Sequence, residues 1–289
     1  MVKGNQIVIT GASGFIARNL RKYLSEKNIK LVSISRNDFK QFKNEHKVIS
    51  KNYDEKSLLS KIQNSDALIH LVGVGKQSVK TDYNMVNVEF TKHIVNLSKK
   101  AKIKKFIFTS GLGVSSNTSL GYFISKYKAE KLIINSGLNY TIFRPSYIVG
   151  KDDLFTKYLK KQIKKGKIEI PGTGTYSIQP IYINDVVQII LQSVLQTKFK
   201  NRIIDLVGPD RITFQQYVKL FSKGTRTIIK KINLEDVCHT AITNSNSDFG
   251  VDDLNILIGN FKGNHNKLRK ITEIKFQSVV ELLKSGSLL

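Results

Sequence analysis

The sequence predicts an α/β fold, a doubly wound parallel sheet with a small C-terminal α/β lobe. Three observations predict it. Short apolar runs alternate with helix-length periodic ones through the first half of the chain. A glycine-rich turn follows the first apolar run directly, and the regularity weakens beyond Gly150. A chain of 289 residues suits one sheet unit of about 150 residues plus a smaller lobe. The expected division is residues 1–150, with 177–207 returning to that unit in part, and a lobe over 151–289.

Taken in order, Gln6–Thr10 (QIVIT) reads as a buried strand and Ile16–Lys27 as the helix after the turn. Lys30–Ser35 (KLVSIS) is a second strand, Lys47–Ser50 a weak third, and Ser57–Gln63 a short helix. Ala67–Val72 (ALIHLV) is a buried strand, Asn84–Lys100 a helix, and Lys105–Thr109 a strand. Tyr122–Ser136 reads as an amphipathic helix and Tyr140–Arg144 as a sixth strand, stopped by Pro145. In the lobe the pattern predicts a helix at Leu154–Lys165 and a strand at Ser177–Tyr182. Asn184 would cap a helix over Asp185–Leu195, ahead of a strand at Ile203–Val207. Helices follow at Thr213–Phe221, Val251–Ile258 and Phe276–Lys284.

The turn Thr10–Ala17 (TGASGFIA) carries a dinucleotide-binding spacing. Gly11 suits the positive φ of a tight turn, Gly14 admits a pyrophosphate against the backbone, and Ala17 lets the helix pack close. Free N–H groups at the helix start, with Ser13, Phe15 and Ile16, would face the phosphates. The sheet is therefore of Rossmann type. No acid ends the second strand to hold a ribose 2′-hydroxyl; Ser35-Arg36 stands there instead. Arg36 suits a 2′-phosphate, so NADP(H) is favoured over NAD(H). Arg18 is a second cationic candidate, and Asp38 lies too far along to replace the missing acid.

Tyr122 and Lys126 (YFISK) are four apart, hence on one helix face. A phenol with a pKa near 10 becomes a usable acid or base at neutral pH only if a cation stabilises its phenolate. Lys126 supplies that charge. The pair follows a strand ending in Thr109-Ser110, so Tyr122, Lys126 and Ser110 form the candidate catalytic set.

These pieces, with Asp66–Val72, Asn87-Val88, Phe106–Ser110, Arg144-Pro145-Ser146 and Gln179–Val186 (QPIYINDV), resemble the extended or atypical short-chain dehydrogenase/reductases, the NAD-dependent epimerase/dehydratase-like group. Within it the chain is most similar to the atypical group that holds the complex I 39 kDa subunit, on Arg144–Phe155, Val207–Val218 and, more weakly, Val251–Asn260. The resemblance implies that Leu71, Val72 and Gly73 line the adenosine ribose and that Asn87 shapes the helix beside the cofactor. It also implies that Thr109 and Ser110 approach the nicotinamide and that Pro145, Ser146 and Ile148 touch its carboxamide.

Two functions follow from the resemblance. One is an NADP(H)-dependent oxidoreductase or epimerase/dehydratase-like enzyme acting on a small molecule, a nucleotide sugar or another hydroxyl or carbonyl compound. The other is an accessory or scaffold protein in which the nucleotide is structural. A homodimer through Asn84–Lys100 and Tyr122–Ser136 is the group's habit. The chain departs from the sugar-nucleotide epimerases in three ways. Gly111 replaces their third Ser/Thr, the Ser110–Tyr122 spacing is short, and Arg144–Ile148 lacks their asparagine.

The formal charge is +25, with clusters at Lys99–Lys105 and Lys157–Lys167. It fits either a solvated lysine-rich surface or attraction to an anionic membrane or an assembly; no nucleic-acid motif accompanies it. Phe155, Tyr158, Leu159 and Ile163 form an apolar stripe on a basic helix, suited to core packing or to a partner. His70 reads as a packed core residue and Asp152-Asp153 as a helix start, while His93, His239 and His265 make no metal-spaced set. One cysteine, Cys238, excludes an internal disulfide. With no apolar run of about 18 residues and no secretory leader pattern, the expected location is cytoplasmic or membrane-peripheral.

Overall fold

The computed structural model describes residues 6–54, 56–75, 82–244, 247 and 249–288. The chain begins β1 (Gln6–Thr10), α1 (Phe15–Glu26), β2 (Lys30–Ser35), β3 (Glu45–Ile49), α2 (Lys56–Ile62) and β4 (Ala67–His70). A π-helical turn over Asn84–Glu89 runs into α3 (Phe90–Lys100), then β5 (Phe106–Thr109), α4 (Gly121–Ile134) and β6 (Tyr140–Pro145). Next come β7 (Ile148–Val149), α5 (Leu154–Lys164), β8 (Lys167–Pro171), β9 (Ser177–Ile178), β10 (Ile181–Tyr182), α6 (Ile183–Leu195) and β11 (Arg202–Leu206). The chain ends with β12 (Ile212–Thr213), α7 (Phe214–Phe221), β13 (Ile228–Ile232), α8 (Leu234–Thr243), α9 (Val251–Ile258), α10 (His265–Ile271) and α11 (Val279–Lys284).

Seven strands form one sheet in the order β11-β6-β5-β4-β1-β2-β3. The pairs among β1 to β6 are parallel. β1, β4 and β5 are mostly apolar and almost wholly buried because a parallel sheet covered on both faces leaves them no wet side. The strand order reverses beside β1, so the carboxyl ends of β1 and β4 flank the crevice where such sheets take ligands.

The chain divides into two compact units. Among the described residues the sheet unit comprises 6–54, 56–74, 82–144 and 187–204; the lobe comprises 75, 145–186, 205–244, 247 and 249–288. In the sheet unit Val8, Val32, Leu68, Phe106, Phe108 and Ile142 pack with Ile94, Ala129 and Ile133 of the covering helices. The lobe has its own core around Leu159, Ile170, Phe214, Tyr217, Val218 and Phe221. Phe155, Tyr158 and Ile163 of α5 pack against that core, so the apolar stripe of this helix faces inward.

Several elements differ from the sequence reading. The segment Ser177–Tyr182 is two short strands, because the Gln179-Pro180 step interrupts it and each half pairs elsewhere: β9 with β12, β10 with β7. Asn184 lies inside the first turn of α6, which begins at Ile183. α4 forms, but its buried face is mixed: Ser125, Lys126 and Glu130 lie inward with Phe123, Ala129 and Ile133. Asn84–Lys100 starts in π rather than α geometry. Among elements not expected, β8 and β13 pair in parallel and α8 buries no residue.

Candidate cofactor and proton-transfer site

The glycine turn is shaped by close backbone approach. Gly11 has φ of 77°. A Cβ there would lie 3.0 Å from the backbone of Leu71 and Val72, so the turn and the 71–73 loop are in contact. Gly14 caps α1 without a side chain, which leaves the first N–H groups of the helix to an outside acceptor. Ser13 and Gly14 are exposed, Phe15 and Ile16 half-buried, and Ala17 is buried where the helix meets the sheet. These are the features a pyrophosphate needs.

The tip of β2 is tied to the turn. Ala12 N donates to Ile34 O at 3.0 Å, and Ser35 Oγ donates to Ser13 Oγ at 3.0 Å. Arg36 follows, exposed to solvent. Asp38 is engaged by Lys47 at 2.7 Å, and that hydrogen bond holds its carboxyl below the usual range.

Two residues that sequence reasoning missed support this end of the site. Tyr53, buried and at a positive φ of 59°, accepts from Gly11 N at 3.4 Å and donates to Ile34 O at 3.1 Å. Arg21 is buried, donates to Ala12 O at 2.9 Å and grips Glu45 with two nitrogens. Arg21's place on the inner face of α1 was readable, but its partner 24 residues away carried no local signal.

At the other end, α4 presents Tyr122 and Lys126. Lys126 is 4% exposed and donates from Nζ to Thr109 O at 3.1 Å. Nζ lies 4.9 Å from the Phe108 ring centre and 5.9 Å from that of Tyr122. A Cβ at Gly73 would meet the same Nζ at 2.9 Å, which places the ammonium against the 71–73 loop. Burial pulls its pKa down to about 8, and the Glu130 carboxylate works in the other direction. Glu130 is itself held by Arg144 at 2.6 and 2.9 Å.

Asn87 links the loop to the helix. Its amide donates to Ser125 Oγ at 3.0 Å and to Val74 O at 3.1 Å, while Oδ1 accepts from Val74 N at 3.0 Å. Ser125 Oγ in turn donates to Tyr122 O at 2.7 Å. The π turn carries Asn87, as such turns often do at functional sites. His70 bonds Thr10 Oγ1 at 2.7 Å and Thr91 Oγ1 at 3.2 Å; burial, then the Lys126 charge, lower its pKa to about 3, so it stays neutral.

The Ser110 hydroxyl is buried and has no hydrogen-bond partner among the described residues. Gly111 instead borders the phenol: a Cβ there would lie 3.7 Å from the Tyr122 hydroxyl, at ordinary contact distance. Pro145, Ser146 and Ile148 belong to the lobe, where Ser146 N donates to Leu206 O at 3.1 Å and Ile148 pairs with Ile181. The sheet unit alone thus brings together the glycine turn, Leu71–Gly73, Asn87, Thr109, Tyr122 and Lys126.

Residues 7–206 match the model of the NAD dependent epimerase/dehydratase family. Among curated proteins, NADH dehydrogenase (ubiquinone) 1 alpha subcomplex subunit 9, mitochondrial, of Mus musculus is 27% identical over 61% of this chain and 47% of its own length. The protein of the same name from Dictyostelium discoideum is 26% identical over 75% of this chain and 63% of its own. The chain thus spans roughly half to two-thirds of these relatives. An Escherichia coli O157:H7 enzyme, N-acetyl-alpha-D-glucosaminyl-diphospho-ditrans,octacis-undecaprenol 4-epimerase, is 26% identical over 80% of this chain and 75% of its own. Among solved structures, a Staphylococcus aureus nucleoside-diphosphate-sugar epimerase superposes with a TM-score of 0.77 at 15% identity, covering 96% of this chain and 99% of that one. MoeE5, solved with UDP-glucuronic acid and NAD, superposes at 0.71 and 16% identity over 90% and 94%. Both likenesses are of fold.

Proposed function

This chain belongs to the NAD dependent epimerase/dehydratase family, and on that premise we propose that it is an NADP(H)-dependent enzyme moving a proton to or from a substrate hydroxyl at Tyr122. The observation that carries the proposal is the buried Lys126 ammonium between the Tyr122 ring and the 71–73 loop. A buried cation is costly without a task. Here it sets a positive charge beside the phenol and offers a donor to a ribose hydroxyl. The nicotinamide nucleotide, when bound, supplies hydride exchange. Tyr122 holds or releases the proton, Asn87 and Ser125 fix the helix turn that carries it, and Gly11–Ile16 bind the phosphates. Arg36, beside a strand tip whose nearest acid is engaged by Lys47, selects the 2′-phosphate.

The test couples binding to turnover. NADPH and NADH are titrated by fluorescence, and NADP⁺ reduction is followed with a panel of UDP-sugars and secondary alcohols. Tyr122→Phe is expected to silence turnover with NADPH affinity nearly intact, and Arg36→Ala to weaken NADPH about tenfold while sparing NADH. Turnover that survives Tyr122→Phe would refute the assignment.

A second reading has its own observation. Gly111 borders the phenol where the sugar-nucleotide epimerases carry a hydroxyl, and the buried Ser110 hydroxyl makes no hydrogen bond among the described residues. That suits a subunit in which the nucleotide is a structural ligand, as part of an assembly; the mitochondrial NADH dehydrogenase relatives point the same way. A nucleotide that survives gel filtration, with no turnover on any panel member, would decide for it.

A further inference from the structure

We propose that the outward face of α5, continued by the start of β13, docks this protein on an anionic phospholipid surface. The proposal is independent of the cofactor site. α5 turns Thr156, Leu159 and Gln162 inward, and its outward arc carries Leu154, Lys157, Lys161 and Lys164, followed by Lys165 at the C-cap. Spacings of three and four place these on one stripe. β8 then pairs with β13 so that Lys167 lies opposite Ile228, and Ile228 N donates to Gly166 O at 2.9 Å. The end of α5 and the start of β13 are therefore neighbours.

Two acid-free tracts meet there. Residues 157–168 hold six lysines, and residues 219–231 hold four lysines and Arg226, with no Asp or Glu in either. Asp152, Asp153 and Glu169 border the first tract, and Glu235 and Asp236 at the start of α8 follow the second. Asp153 is turned back to cap α5, Glu169 pairs with Lys167, and Asp152 stands beyond the helix start.

Charge alone would fit any polyanion; the exposed aliphatics choose among them. Leu154 at one end of the stripe is 84% exposed, and Ile228 at the other is 70% exposed. From Leu154 to Lys164 the helix runs about 15 Å along its axis. Phosphates of a nucleic acid offer these side chains nothing, whereas the headgroup–acyl boundary of a bilayer takes them in while lysines reach the lipid phosphates. The aromatic rings of α5, Phe155 and Tyr158, pack on the lobe core, so the stripe offers no ring for base stacking.

The test is co-sedimentation of the full chain with phosphatidylcholine vesicles, with and without phosphatidylserine, at low and physiological salt. Binding to the anionic vesicles alone, weakening with salt, is expected. At about fivefold per lysine, Lys157→Glu/Lys161→Glu/Lys164→Glu should lower partitioning by about a hundredfold or more. Leu154→Ser/Ile228→Ser leaves the charge unchanged and should lower it by about tenfold. All five positions are exposed, so thermal melts of both variants should overlay that of the parent. Failure to bind anionic vesicles, or equal binding to neutral ones, overturns the proposal. So does a Leu154→Ser/Ile228→Ser variant that binds like the parent while a soluble RNA duplex competes it off, an outcome that would mark a nucleic-acid surface.

Discussion

In the sheet unit the decisive ionic groups are inside: Lys126 under the tyrosine, and Arg21 locked to Glu45 behind the glycine turn. In the lobe the cations stand outside, on α5 and β13, and the core beneath them is apolar and aromatic. Burial explains the difference. A buried charge survives only with a specific partner or task, so it is placed residue by residue. An exposed lysine is nearly free to place, and only its neighbours' sum has an effect.

Breaking the comparison is easiest at Arg21. Arg21→Met leaves the Glu45 carboxylate buried and unpaired, and chemical denaturation should show a loss of about 3–5 kcal/mol. Adding Glu45→Leu should recover most of that. If the single variant melts like the parent, the pair carries no interior charge that needs its partner.

Lys126 gives the next effect, with the opposite sign. Its folded-state pKa of about 8 lies below the unfolded value. The burial penalty is therefore full below pH 8 and is relieved as pH rises from 8 toward about 10.4. Lys126→Met should thus stabilise the nucleotide-free protein by about 3 kcal/mol at pH 7, with the gain shrinking above pH 8 and with weaker nucleotide binding. A pH-independent change would remove the linkage.

Asp185 in the lobe is a sharpening exception. It is buried, accepts from Gln277 N at 2.9 Å, and is raised to a pKa of about 6 by burial. The folded state then holds its proton more tightly than the unfolded state does, so stability from this group falls between about pH 4 and pH 6. Asp185→Asn should raise the melting temperature at pH 7 and leave it unchanged near pH 4.

The smallest effect is expected at Gly111. A Cβ there meets Tyr122 and Phe123 at 3.4–3.7 Å, so Gly111→Ser should move stability by no more than about 0.5 kcal/mol. Its value lies in function, because the new hydroxyl stands beside the phenol. A gain of turnover on a nucleotide sugar would show that the missing hydroxyl is what limits the site.

What was legible in the sequence follows the same division. β1, the glycine turn, β4 and β5 were readable because strands covered on both faces are continuous apolar runs, and Gly11 has a steric role no other residue fills. The Tyr122–Lys126 face was readable from its spacing together with the Thr109-Ser110 strand end that precedes it. The approach of Gly111 to the phenol was not, since the backbone path at the end of β5 decides it. Nor was the Arg21–Glu45 pair, or Tyr53 under Gly11, because their partners are distant along the chain. β8 and β13 escaped because KIEIP and IIKKI are short runs with lysines on their wet positions. α8, burying nothing, shows no periodicity to read.

The central claim is that the nucleotide is an exchangeable cosubstrate held between the glycine turn and Lys126. The rate at which NADPH leaves the purified protein, followed by its fluorescence with NADH alongside, tests it most directly. Release within seconds, with NADPH held more tightly than NADH, is the predicted result. Retention for hours would contradict it and make the nucleotide part of the structure; no binding of either would remove the cofactor site altogether.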